Sequence, residues 1–196
     1  MSESVPVVSN SDYSIIHDVV GLSASRYLIS YYHSGVLTNA TSGGDQINAG
    51  GPLFVQAVSY SAGVDLIYLI SSPEVLNSTS PAFYIVGSKI DNSSAVFVFT
   101  DQSVDYGLRA VLASTDPSSG AVSYGSSLDL TRGQALAPSS SAVMDLDVVA
   151  VPPSSTACGG SSKICNKNSF TVLYGDVTNS GAMTMVSGKV SNLFVR

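Results

Sequence analysis

The chain has 196 residues, enough to bury a sizeable core in one domain, yet only 11% of them are charged, against about 25% in ordinary soluble domains. Its formal net charge is −6, and the eight basic residues (Arg26, Lys89, Arg109, Arg132, Lys163, Lys167, Lys189, Arg196) are scattered along the sequence. This excludes the clustered positive surface that tracks a phosphate backbone, and no segment reaches the roughly 18 consecutive apolar residues of a membrane span.

Residues 1–12 carry Glu3 and Asp12, with Pro6 favouring an extended course, and read as an N-terminal arm ahead of a single domain over residues 13–196. The arm has neither the basic nor the apolar region of a signal peptide, so synthesis in the cytoplasm is expected. Beyond it, short runs of Val, Ile, Tyr and Phe alternate with Gly, Pro, Asn, Asp and Ser clusters, the pattern of strands and turns. Strands are predicted over residues 13–20, 27–32, 53–60, 65–70, 82–90, 95–100, 106–112, 143–151, 170–174 and 183–195. The fold class is therefore all-β, an antiparallel β-sandwich of eight to ten strands.

Between the fourth and fifth runs, Ser72, Pro73 and Glu74 supply an N-cap, a first-turn proline and a carboxylate at the positive end of a dipole, which predicts one helical turn over residues 72–76. Ala95, Val96, Phe97, Val98 and Phe99 are apolar on both faces, which predicts a strand held between layers or closing an interface. In residues 143–151 a strict two-residue period fails, and a bulge near Val148 and Val149 would restore it. Long Gly/Ser/Pro-rich stretches at 34–52, 115–127, 132–141 and 152–169 read as loops that contact partners. No internal repeat is visible, which argues against propellers and solenoids.

Catalytic patterns are missing: the chain contains no G-x-S-x-G elbow, no phosphate-cradling G-x-x-x-x-G-K-[ST] loop and no H-E-x-x-H. His17 and Asp18 are adjacent on a strand and so point to opposite faces, which favours structural roles, and His33 reads as a strand-end residue. Asp145 and Asp147 would lie about 7 Å apart on one strand face. With a third oxygen donor such as Asp101 or Asp105 they could hold calcium; a wet outer face explains them equally well. No other cofactor is expected. Cys158 and Cys165, with six residues between them, fit a disulfide closing a short loop, worth about 2–3 kcal/mol, or else two free thiols in a reducing cytosol. Sequons at Asn39, Asn77 and Asn92 are read as chance in so serine-rich a chain.

A surface so poor in charge needs another source of solubility. Serine hydroxyls supply part of it, and cover by neighbouring copies of the chain would supply the rest; a polar or glycosylated extracellular surface is the alternative. Strand count, length, low charge and absent catalytic motifs together resemble the single jelly-roll coat proteins of icosahedral viruses. That resemblance implies a single jelly roll of eight to ten strands and a non-enzymatic capsid subunit of a virion, made in the host cytoplasm and assembling with copies of itself and other coat proteins through loops and termini. The acidic arm departs from the Arg/Lys-rich arms of many such coats. The competing reading is a carbohydrate-binding or adhesion module on the same sandwich, with Tyr31, Tyr32, Tyr60, Tyr106 and Tyr124 as its platform. A hydrolase using Asp145 and Asp147 comes third, with no tryptophan to stack a sugar ring.

Overall fold

Apolar residues on both faces of a strand must be covered from both sides, and that requirement organises the molecule into three layers. The structure, a computed structural model, describes residues 14–33, 51–63, 66–72, 74–101, 107–131, 143–151, 169–176 and 182–189. They contain twelve strands: β1 (Ser14–Gly21), β2 (Arg26–His33), β3 (Gly51–Ser61), β4 (Leu66–Leu69), β5 (Glu74–Lys89), β6 (Ser94–Asp101), β7 (Gly107–Thr115), β8 (Val122–Tyr124), β9 (Leu128–Asp129), β10 (Val143–Val151), β11 (Ser169–Asp176) and β12 (Ala182–Lys189). Each of the ten predicted strands falls on one of these. β8 and β9 are additional: β8 lies inside the stretch 115–127 expected to be loop, and β9 follows directly after it. The arm, both cysteines, Asp105, and most of the loops at 34–52, 132–141 and 152–169 lie outside the described residues.

All pairings are antiparallel. One sheet has nine strands in the order β1-β2-β3-β5-β6-β7-β8, with β4 on β3 and β9 on β7; the other is β10-β11-β12. Neighbours are almost all consecutive in sequence, a meander, whereas a jelly roll interleaves strands from separate parts of the chain. The β-sandwich expectation holds; the jelly-roll order is not what the described strands have.

The large sheet folds over on itself at β5. The first part of this strand pairs with β3, Phe54 facing Val75 and Val55 facing Glu74. The last part, from Ala82 to Lys89, pairs with β6 and has a register break between Phe83 and Ile85. A strand that bends from one layer into the next is a recognised way of turning a sandwich corner. Pro81, which cannot donate to a ladder, lies where neither partner strand has a register mate for it. The expected helical turn at 72–76 is overturned: Glu74, Val75 and Leu76 are strand, because ladder bonds to β3 outweigh a local cap signal that promises a single turn.

Two cores result. Between the outer layer (β1–β3) and the middle one (β6–β8) lie Val20, Leu28, Leu53, Val55, Phe97, Phe99 and Val111. On the far side of the middle layer, Val96, Val98, Leu108, Ala110 and Leu112 meet Val148, Phe170, Val172 and Tyr174 of the three-stranded sheet. The double-faced run in β6 is thus sandwiched as its sequence predicts, and all eight of its residues are buried. Each of its large apolar side chains contributes roughly 1.5–3 kcal/mol by burial.

Two close approaches set how aromatic rings lie along the sheets. Phe97 lies across Gly87 and Phe170 across Gly188, their register partners; a Cβ at either glycine would sit 2.6 Å and 2.4 Å from the facing ring. The Asp18 carboxylate joins β1 to β5, accepting the Gly87 N–H at 2.6 Å on Oδ2 and the Val19 N–H at 2.7 Å on Oδ1. The Ala150 N–H donates to Ser88 Oγ at 3.0 Å, tying β10 to the same strand.

Candidate functional site

Alternation along the three-stranded sheet decides what it shows to solvent. Leu146, Val148 and Ala150 of β10, Phe170, Val172 and Tyr174 of β11 and Val186 of β12 face the middle layer. The opposite parity therefore points outward, and it is not polar: Val149 is 61% exposed, Leu173 42%, Met183 57% and Met185 69%. Register places Asp147, Leu173 and Met185 in one cross-strand row. The next row is Val149, Thr171 and Ser187, where the two hydroxyls hydrogen-bond at 2.9 Å. Three large apolar side chains, Leu173, Met183 and Met185, are close neighbours on this face.

A second apolar surface lies on the outer layer. Val19, Tyr27, Ile29, Val58, Tyr60 and Ile67, with Ser59 as the polar member, line a groove of about 470 Å³. Beside it Tyr31 stacks on Phe54 with ring centroids 5.5 Å apart, and burial raises the Tyr31 hydroxyl above its ordinary pKa. The exposed Tyr68, Leu69 and Val75 continue the apolar character along β4 and the start of β5.

Asp147 is exposed and accepts the Val148 N–H at 2.8 Å. The register break in β10 falls between Met144 and Leu146, not near Val148 and Val149. Asp145 is then the bulge residue, so strict alternation from Asp145 to Asp147 does not run through it. Among the described residues no group of three or more His, Cys, Asp and Glu converges on a metal-sized space. Asp101, offered as a third donor, is buried and forms an ion pair with Arg109 Nε at 2.8 Å across β6 and β7. His17 falls at a register break in β1, and His33 ends β2 opposite Ser14. The Asp18 carboxylate is bound to two backbone N–H groups, a structural role.

Of the tyrosines proposed as one platform, Tyr106 lies outside the described residues, and Tyr31, Tyr60 and Tyr124 are dispersed. Tyr31 is buried, Tyr124 packs against the inner core, and Tyr60 lines the outer groove with Tyr27. Sequence reading did not single out Met183 and Met185. The alternation of Ala182 to Lys189 separates the two methionines from Val186 and Gly188, but it cannot say which set faces the core. Comparison with protein-family models, curated proteins and solved structures returns no match for the chain.

Proposed function

We propose that the protein is a non-enzymatic structural subunit that assembles with copies of itself, in the manner of a capsid protein forming the shell of a virion. The observation that carries this reading is the outward face of β10–β12, where Val149, Leu173, Met183 and Met185 are exposed on a chain with few charges to offset them. Exposed apolar surface of this kind is characteristic of contact sites. The outer groove gives each subunit a second contact region, and repetition by symmetry multiplies weak contacts into a stable assembly. Assembly with other coat proteins, and production in a host cytoplasm, belong to the same reading.

Light scattering and negative-stain microscopy of the full chain are expected to show particles larger than one subunit, growing with concentration. A homogeneous monomer at every concentration would remove the reading. One observation favours the competing class: Tyr27 and Tyr60 line the same groove, an arrangement able to stack on a sugar ring. Glycan binding by that monomer would establish a carbohydrate-binding or adhesion module instead.

A further inference from the structure

The edges of a sheet are where another chain can add on, and folded proteins guard them with short strands, bulges, charges, proline or covering elements. Most edges here are guarded in one of these ways. β1 has a register break at His17, and Asp18 ties it back to Gly87. β4 has four residues, β8 three and β9 two. β10 is held against β5 through Ala150 and Ser88.

β12 differs. It runs for eight residues in unbroken register with β11, from Ala182 opposite Asp176 to Lys189 opposite Ser169. It contains no proline and no bulge, and no charge precedes Lys189. Among the described residues no strand pairs with its outer edge.

We infer that β12 pairs antiparallel with β12 of a second copy across a two-fold axis, with Met185 opposite Met185; the inference rests on the self-assembly proposed above and names its contact. Residues directly opposite each other in an antiparallel pair point to the same side of the sheet. A two-fold axis normal to the sheet keeps outward faces on one side, so an outward residue must meet an outward residue. Centring on Met185 satisfies this and sets Met183 opposite the second copy's Ser187. The row through the axis then reads Asp147, Leu173, Met185, followed by Met185, Leu173, Asp147 of the second copy.

This register gives an apolar centre with carboxylates at its rim, the ordinary anatomy of a protein interface. It also answers the objection that two chains of net charge −6 repel. The two Asp147 residues stand five strand spacings apart, about 24 Å, more than twice the Debye length of about 10 Å at 0.1 M salt. The shared ladder supplies a continuous six-stranded sheet.

The test uses the full chain and native mass spectrometry over a concentration series. Met185→Lys and Met185→Glu are each expected to weaken the dimer at least tenfold, because like charges then oppose across the axis. Mixing the two variants is expected to restore a heterodimer. Val149→Lys, on the same face but on β10, is expected to change dimer affinity by less than about twofold, since the contact is edge to edge. Equal loss with Val149→Lys would point to face-to-face stacking and overturn the pairing. So would an assembled wild type whose dimer survives both Met185 variants, and that result would leave the self-assembly reading standing. A wild type monomeric at every concentration overturns both.

Discussion

Asp116 illustrates how single residues hold the turns of this fold. Its Oδ1 accepts from the Ser118 hydroxyl at 2.5 Å, the Ser119 N–H and Ser118 N–H at 2.8 Å each and the Ser119 hydroxyl at 3.1 Å. These donors, the Ser118 hydroxyl foremost, hold the carboxyl well below its ordinary 3.8. Because the folded value is the lower one, the turn's contribution is fully present above pH 3.8 and is lost as pH falls from there toward the folded value. The stability difference between wild type and Asp116→Asn, from urea unfolding at a series of pH values, is therefore expected to be constant near neutrality and to shrink in acid. Four residues on, Gly120 adopts φ +74°, and a Cβ there would lie 3.0 Å from the Ile70 carbonyl oxygen. Gly120→Ala is expected to cost at least about 1–2 kcal/mol in the same experiment, the backbone penalty alone.

At the scale of elements, pairing outranks local preference. Residues 143–151 form a strand with the predicted bounds because Val-rich composition and pairing agree there. At Ser72 to Leu76 they disagree: the cap residues favour a helical turn, and β3 claims the segment for its ladder. β8 and β9 are too short and too hydrophilic to be read in sequence, since what makes them strands is contact with β7. The layering around β6 was legible because both of its faces are apolar. The outward face of β12 was not, because alternation defines two faces without naming the buried one. Gly188 belongs to this scale, since its missing side chain is what lets Phe170 lie flat across the ladder. Gly188→Ala is expected to lose about 1–3 kcal/mol through overpacking, read from the urea midpoint.

Seen whole, the molecule has few charges, so the self-association proposed above would rest on apolar and neutral polar surface. Self-association is accordingly expected to change by less than about threefold between roughly 0.05 and 0.5 M salt, measured by sedimentation equilibrium, whereas contacts built on ion pairs would weaken steeply. The calcium reading of Asp145 and Asp147 depends on the same scale, because a third donor has to come from another element, and Asp101 is engaged by Arg109.

The sixteen-residue strand β5 gives the architecture a mechanical character. As a girder common to two storeys, it prevents the outer layer from being lifted off while the middle one stays intact. A load applied to the outer layer is carried through covalent chain into the centre, a property that the shell subunit proposed above would use when its neighbours push.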